Sequence, residues 1–364
     1  MAKTEKKART PLFHIVKREP MSWYGALGVR AVAILAALIV SAIIITIFAQ
    51  KNPIEVYKAM FDGAFGSPNR IWDLLHNIAL MLCVSLAVTP AFKMKFWNIG
   101  AEGQVLIGGL ATVCVMMFLG GTMPTPLLWL VMACASILAG IIWAFLPAIS
   151  KALWNTNETL FTLMMNYIAI QLVAFFLKRF VKSGSGVLEP MHQYGLPVIG
   201  EYSYLLNIII VAVLTVLVYI YLKYSKHGYE ISVVGESENT AKYIGINVKK
   251  VVIRTLVISG ALCGIAGLLL VGGTHHTIDT ATAGGRGFTA IMVSWLAKFN
   301  PFIMVLTSFL IVFLEKGAMQ VSSQFRVPSA ISDIITGIIL FFIIGCEFFL
   351  QYKIVFTKNR KENA

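Results

Sequence analysis

The chain has 364 residues, of which 58% are hydrophobic and 13% are charged, whereas in soluble proteins the charged share is about 25%. Its net charge is +13, from 30 Lys and Arg against 17 Asp and Glu residues, and the basic residues stand in gaps between apolar runs. No basic stripe with interleaved aromatic residues is present, which argues against nucleic-acid binding. We therefore expect an all-α integral membrane protein that contacts the lipid bilayer and no nucleic acid.

In chain order, residues 1–25 form a basic, polar tail that we expect in the cytoplasm. The apolar run that follows is too long for the core of a signal peptide and has no cleavage site, so we interpret it as a retained span. Windows of about 20 apolar residues predict spans at 26–49, 73–92, 104–119, 126–149, 158–177, 204–222, 252–272, 301–316 and 331–350. A tenth candidate, 287–299, is too short to cross unless irregular backbone completes it.

The basic loops decide between nine and ten crossings. Ten crossings with the amino terminus inside place most of the Lys and Arg residues in the cytoplasm, including the basic tail at 353–364. Nine crossings would put that tail outside, so we predict ten, with Lys178, Arg179 and Lys182 as the exception. No linker divides the chain, and residues 26–352 are predicted to form one membrane domain.

Two glycine-rich segments occupy related places in this order of spans. "NIGAEGQVLIGGL" follows the second span and "GGRGFTAIMVSWL" follows the seventh, and each carries a charged residue, Glu102 or Arg286, close to a short helix. An offset of five spans is odd, so it would put two halves in opposite orientation, as in transporters built from inverted 5+5 repeats with broken helices. The alternative is that glycines recur in any membrane protein with many spans.

Glu102 stands in the first of these segments, between Asn98 and Gln104. A carboxylate in the middle of a spanning helix is costly and usually faces a bundle interior or a watery cavity, which makes the segment a candidate lining of a substrate pathway. Alternatively, Lys93 and Lys95 mark the membrane surface, and Glu102 is a first-turn acid near the positive end of a helix dipole. Spacing alone does not separate these two interpretations.

The segment "WNTNETLFTLMMNYIAIQL" presents further polar residues. Asn157 is placed as an ordinary helix N-cap. Thr162 and Asn166 lie deeper in the span, where Asn166 needs a partner; interhelical hydrogen bonding is favoured over contact with substrate. We include both, with Arg286, among the candidate pathway residues.

The longest predicted cytoplasmic loop, about 223–251, contains the sequence "ESENTAKYIGI". It predicts a short helix that Ser237 or Asn239 caps and Gly245 closes. Its small apolar face consists of Ala241, Tyr243 and Ile244. Such a helix suits docking into a groove of a soluble partner, or it is an amphipathic connector on the lipid surface.

No catalytic or metal-binding motif stands out. His275, His276 and Asp279 are close in sequence, but adjacent histidines do not share a helix face and no further ligand follows. There is no Walker motif, no G-x-S-x-G and no H-E-x-x-H. We therefore predict no catalytic site, no bound metal and no ATP hydrolysis by this chain.

Four segments, in the same order, resemble the permease subunits of bacterial ABC importers for nucleosides, a branch of the ribose, galactose and branched-chain amino acid permeases. They are "FWNIGAEGQVLIGG", "NETLFTLMMNYIA", "GESENTAKYIGINVKKVVIRTLVISGALCGIAGL" and "GRGFTAIMVSWLAKFNP". The resemblance covers roughly residues 70–350. The chain departs from many relatives at Trp295 and Lys298, where a small or glycine-rich helix with an Arg is usual.

The resemblance implies a multi-pass subunit of the bacterial cell membrane with both termini in the cytoplasm. Its expected partners are a second related permease, ATP-binding modules that are often fused in one chain, and an extracytoplasmic lipoprotein that delivers substrate. The chain itself binds no cofactor, because ATP and Mg belong to the partner. The family's coupling helix would fall on Glu236 to Ile246, and "NIGAEGQ" would be broken helix beside the translocation path.

Two alternatives to a nucleoside permease stay open. One is an ABC permease for a simple sugar or a related small solute. The other is a secondary transporter in which Glu102 couples transport to an ion gradient. A membrane enzyme that uses His275, His276 and Asp279 would instead require a bound metal.

Overall fold

The computed structural model describes residues 13–19, 22–181, 188–200 and 203–356. Within these ranges the chain is almost entirely helical, with one short antiparallel strand pair, β1 (Phe13–Lys17) and β2 (Tyr352–Phe356). The helices are α1 (Trp23–Ile44), α2 (Pro53–Phe65), α3 (Pro68–Lys93), α4 (Ala101–Leu119), α5 (Thr125–Trp154), α6 (Glu158–Phe180), α7 (Leu205–Tyr224), α8 (Lys226–Glu236), α9 (Glu238–Tyr243), α10 (Val248–Leu270), α11 (Arg286–Leu296), α12 (Pro301–Phe325) and α13 (Ser329–Gln351). Parts of both predicted tails, 1–12 and 357–364, and Lys182 lie outside the described residues.

Nine of the described helices are long and apolar enough to cross a membrane. Eight of them coincide with predicted spans within five residues at each end, whereas α12 ends at Phe325, nine residues after the predicted 301–316. The nine helices confirm the all-α membrane class. The tenth candidate forms α11, a helix of 11 residues. The sequence analysis missed α2, which begins with Asn52 accepting a hydrogen bond from the Ile54 backbone N–H at 3.0 Å and with Pro53 as its first residue.

The strand pair bears on the number of crossings. Val16 of β1 lies opposite Lys353 of β2, so the two described ends of the chain pair with each other. Paired strands lie on one side of a bilayer, because backbone groups of an open strand are not satisfied in lipid. The number of crossings is therefore even, which agrees with the predicted topology of ten, although the tenth crossing itself stays a prediction. The segment with α11 fits this role, since Lys298, just after α11, lines the same cavity as Lys93 and Lys95 at the end of α3.

The described residues divide into two compact units. One unit combines the chain before Pro68 with the chain after Phe313. In it α1 packs against α13, and Arg30 forms an ion pair with Glu347 at 2.6 Å. A Cβ at Gly63 would lie 2.6 Å from the Cβ of Gln320, so α2 approaches the second half of α12 closely.

The second unit, Pro68–Phe313, is organised around α10, which packs against α3, α4 and α5. Glycines let these backbones approach closely, as is typical of helix contacts in membranes. A Cβ at Gly108 of α4 would lie 2.8 Å from the Cα of Gly264 in α10. Ser136 of α5 adds a hydrogen bond to the Gly264 carbonyl at 2.6 Å. This packing fixes the start of α4, where the candidate site lies.

Candidate functional site

The segment between α3 and α4 is a compact turn. Helix α3 ends at Lys93, α4 begins at Ala101, and Lys95 adopts a left-handed backbone with φ of 60°. Glu102 is thus in the first turn of α4, as the simpler of the two interpretations expected. Its surroundings differ from a surface turn, however, because Asn98, Glu102 and Gln104 are all buried.

Asn98 organises the interior of this turn. Its Oδ1 accepts hydrogen bonds from the Gly100 backbone N–H at 3.1 Å and from Gln104 Nε2 at 3.3 Å. Its Nδ2 donates to Ser259 Oγ of α10 at 3.4 Å. Gln104 Oε1 is buried and has no hydrogen-bond partner in the described part of the chain. Of the two side-chain amides, Asn98 and Gln104, only Gln104 therefore has a carbonyl oxygen without a hydrogen bond from the described residues.

Helix α6 holds the other side of the turn. Asn166 accepts from the Gly103 N–H and donates to the Ile99 carbonyl, both at 2.8 Å. Thr162 Oγ1 accepts from the Ile99 N–H at 3.2 Å. These are the interhelical hydrogen bonds that the sequence favoured for Asn166, and they satisfy backbone groups that a broken helix would leave open. Whether Asn166 and Thr162 also meet a solute stays a prediction.

Glu102 caps a helix that is far away in sequence. Its Oε1 accepts from the Gly285 N–H and its Oε2 from the Gly287 N–H, each at 2.7 Å. These groups stand at the start of α11, where backbone N–H groups lack intrahelical acceptors and the helix dipole favours negative charge. The carboxylate therefore joins the beginning of α4 to the beginning of α11. The sequence did not reveal this partner.

Gly287 is required for this contact. A Cβ there would lie 2.7 Å from the Cα of Glu102 and 2.8 Å from its Oε2. Gly285, which precedes α11, has a φ of 74°, a left-handed conformation that favours glycine. The glycines of the "GGRG" sequence therefore let the backbone come close enough to donate hydrogen bonds to a carboxylate.

Arg286 belongs to a second polar group. Its guanidinium donates to Asn77 Oδ1 at 3.2 Å, and Asn77 Nδ2 donates to Asp73 Oδ1 at 2.9 Å. All three side chains are half-buried. Asp73 and Asn77 were missed by the sequence analysis, although two polar residues four positions apart in an apolar helix share one face and are a usable signal.

The predicted coupling segment is two helices rather than one. Glu236 ends α8, and Ser237, one of the two predicted caps, has an extended backbone and caps α9 by accepting from the Thr240 N–H at 3.2 Å. Gly245 closes α9 with a φ of 84°, as expected. Tyr243 and Ile244 are 94% and 52% exposed.

Ala241 corrects one detail of that prediction. It was expected on the same apolar face as Tyr243 and Ile244, but it is fully buried. In a helix, positions two residues apart point to different sides, so Ala241 anchors α9 while Tyr243 stays outside.

The coupling segment touches the turn after α3 directly. A Cβ at Gly235, near the end of α8, would lie 3.2 Å from the Met94 Cα and would overlap the Lys93 carbonyl oxygen. Arg254 of α10 pairs with Glu230 of α8. Helices α8 and α9 are thus seated on the ends of α3 and α10.

The histidine group shows no metal-ligand arrangement among the described residues, where no three His, Cys, Asp or Glu side chains lie close enough to share an ion. Asp279 instead closes a local turn by accepting from the Ala281 N–H at 2.8 Å. The rings of His192 and His276 meet edge to face at 4.8 Å.

Comparison with known proteins identifies the family of the chain. A family model described as "Branched-chain amino acid transport system / permease component" matches residues 70–344. The chain belongs to this permease family. With nine long apolar helices in the described ranges, the permease is a multi-pass membrane protein of the ABC transporter type, and its role is transport.

Among its curated relatives, the permease is 31% identical over 345 residues to the guanosine ABC transporter permease protein NupP of Bacillus subtilis (strain 168), covering 92% of this chain and 97% of the relative. It is 26% identical to the glucose ABC transporter permease protein TsgB13 of Haloferax volcanii over 95% and 94% of the two chains. It is also 26% identical to the nucleoside ABC transporter permease protein NupB of Lactococcus lactis subsp. cremoris over 86% and 90%. A second permease of Bacillus subtilis, NupQ, is 24% identical over 56% of this chain. A second permease of Lactococcus lactis, NupC, is 23% identical over 58% of this chain.

Proposed function

We propose that the chain is one of two permease subunits of an ATP-driven importer for nucleosides. The observation that carries this proposal is the similarity to NupP over nearly the whole length of both chains. The paired names in two bacteria support a second, related permease as the partner. ATP hydrolysis belongs to a separate ATPase subunit, and an extracytoplasmic binding protein delivers the solute.

The contacts suggest how movement of an ATPase would reach the membrane interior. Exposed Tyr243 and Ile244 would meet the ATPase, and the segment is seated through Gly235 on the turn after α3. From this turn Glu102 holds the start of α11. A push on α9 would therefore move the turn and α11 together, which is one way to shift a bundle between outward-open and inward-open states.

Uncharged hydrogen-bonding groups along this route suit a nucleoside. Its hydroxyls and base edge need donors and acceptors rather than fixed charge, and amides supply both. Gln104 Oε1 is an acceptor that a solute group could meet when the turn opens. We propose Asn98, Glu102, Gln104, Thr162, Asn166 and Arg286 as the residues beside the path, with Asp73 and Asn77 as additions through their contact with Arg286.

The same contacts argue against an ion-coupled role for Glu102. A coupling carboxylate must take up and release its ion, whereas both oxygens of Glu102 accept from the α11 backbone. Loss of that charge would uncap a buried helix end. We also propose, from the positive-inside rule, that both termini lie in the cytoplasm of a bacterial cell.

The test is uptake into proteoliposomes that contain this chain with a related second permease, an ABC ATPase and a binding protein from the same organism. We expect uptake of labelled guanosine that needs hydrolysable ATP and that unlabelled nucleosides, but not glucose, suppress. An ATPase variant that binds ATP without hydrolysing it is the matched control. Uptake of glucose in place of guanosine would favour the sugar permease that the TsgB13 similarity suggests. Uptake driven by an ion gradient without ATP would contradict the proposal.

A further inference from the structure

A cavity of about 420 Å³ lies where the ends of α3 and α11 meet. Its charged wall consists of Lys93, Lys95 and Lys298. No acidic residue is among the described residues that line it. We call it the inner-face cavity, because the positive-inside rule assigns these lysines to the cytoplasmic face.

Aromatic rings form the rest of the inner-face cavity. Trp97 and Trp295 are 44% and 51% exposed, with ring centroids 5.4 Å apart. Phe92 meets Trp97 edge to face at 5.9 Å, and Phe299 completes the lining. Tryptophan prefers the membrane–water interface, where its ring contacts both acyl chain and headgroup. The cavity therefore combines three cations with rings suited to the headgroup level.

The backbone holds two of these lysines in place. Lys95 and Lys298 each follow a helix end in a left-handed conformation, with φ of 60° and 50°. That position usually carries glycine, which adopts it at no steric cost. Reverse hydrogen bonds, from the Lys95 N–H to the Phe92 carbonyl and from the Lys298 N–H to the Trp295 carbonyl, both at 2.9 Å, close the two turns.

The helix dipole explains why one cation stands at each helix end. It does not explain why two exposed tryptophans lie between these cations, or why the described lining contains no acidic residue. We propose that the inner-face cavity binds the headgroup of an anionic phospholipid from the cytoplasmic leaflet, the phosphate against the lysines and the upper acyl chain against Trp97 and Trp295. Basic pockets between spanning helices on that side are known to receive such headgroups. The inference is independent of the solute that the permease carries.

The test measures quenching of tryptophan fluorescence by phospholipids with brominated acyl chains in the purified full chain. We expect brominated phosphatidylglycerol to quench at lower mole fraction than brominated phosphatidylcholine. Replacement of Trp97 and Trp295 by Phe should remove this difference, since the other five tryptophans of the chain lie elsewhere.

Charge is tested with Lys95→Gln/Lys298→Gln, because both side chains are exposed. We expect about 25-fold weaker preference for phosphatidylglycerol, at roughly fivefold for each lysine. Lys51→Gln/Lys58→Gln removes the same charge from exposed positions before and within α2 and should leave the preference unchanged.

Three results would overturn the proposal. Equal quenching by the two phospholipids would remove the headgroup specificity. Full displacement by millimolar glycerol phosphate would indicate a site for small anions instead of a lipid. A Lys95→Cys variant that cross-links to the ATPase in the assembled importer would assign the cavity to a protein partner.

Discussion

Replacing Glu102 by Gln isolates the capping of α11 by α4. The amide has nearly the same shape as the carboxylate but only one acceptor oxygen. The amide can therefore accept a hydrogen bond from either the Gly285 or the Gly287 N–H, while its NH₂ group faces the other N–H donor. Because the site is buried, water does not replace the lost acceptor.

The expected cost follows from these two contacts. The retained hydrogen bond changes from a charged to a neutral acceptor, a loss of about 1–1.5 kcal/mol. The second N–H becomes unsatisfied, which costs about 1–3 kcal/mol. We therefore expect Glu102→Gln to lower the free energy of unfolding by about 2–4 kcal/mol.

Reversible unfolding in mixed micelles measures this free energy, and Glu55→Gln is the control. Glu55 is also a first-turn acid, but it is exposed on α2. Loss of its interaction with the helix dipole should cost no more than about 0.3–1 kcal/mol. Equal effects of the two substitutions would refute the argument that Glu102 joins two helices.

Three further predictions concern the same assembly. Gly287→Ala should lower stability and transport as much as Glu102→Gln, because its Cβ would push into the Glu102 backbone; unchanged unfolding and uptake would show that the contact is loose. Tyr243→Glu should abolish co-purification of the ATPase, while Tyr229→Glu, at an exposed position of α8, should retain it. Intact association of the Tyr243→Glu variant would show that α9 is not part of the interface. Burial, followed by the charges of His192 and His275, lowers the pKa of His276. Its neutral form is favoured in the folded chain, so this contribution to stability is present above the unfolded pKa of about 6.5 and is lost as pH falls through the folded pKa. His276→Asn should therefore lose less stability than the parent between pH 7.5 and 5.5, and identical pH profiles would contradict this.

Most of the fold could be predicted because long apolar runs identify spanning helices without tertiary information. The nine long helices follow this rule, and Asn157 caps α6 as expected, accepting from the Leu160 N–H at 3.1 Å. Helices α2 and α8 were missed because both are short and carry charged residues between their apolar ones. The start of α9 was predictable, because Ser237 is a typical N-cap residue and caps α9 in the structure.

The residues of the candidate site could be predicted from their type, but their hydrogen-bond partners could not. A buried Glu, two Asn and a Gln in a membrane protein signal a polar group, yet their hydrogen bonds depend on which helices meet. Glu102 and Gly285 are 183 positions apart, and no periodicity links them. The inverted repeat stays a prediction.

The central claim is that the turn after α3 opens beside the solute path when the ATPase moves. The most direct test is the reactivity of Gln104→Cys toward a charged thiol reagent, in a chain whose five native cysteines are replaced and which is assembled with its partners. We expect labelling in only one nucleotide state, with protection by a nucleoside. Equal labelling in both states, or reaction with membrane-soluble reagents alone, would contradict it.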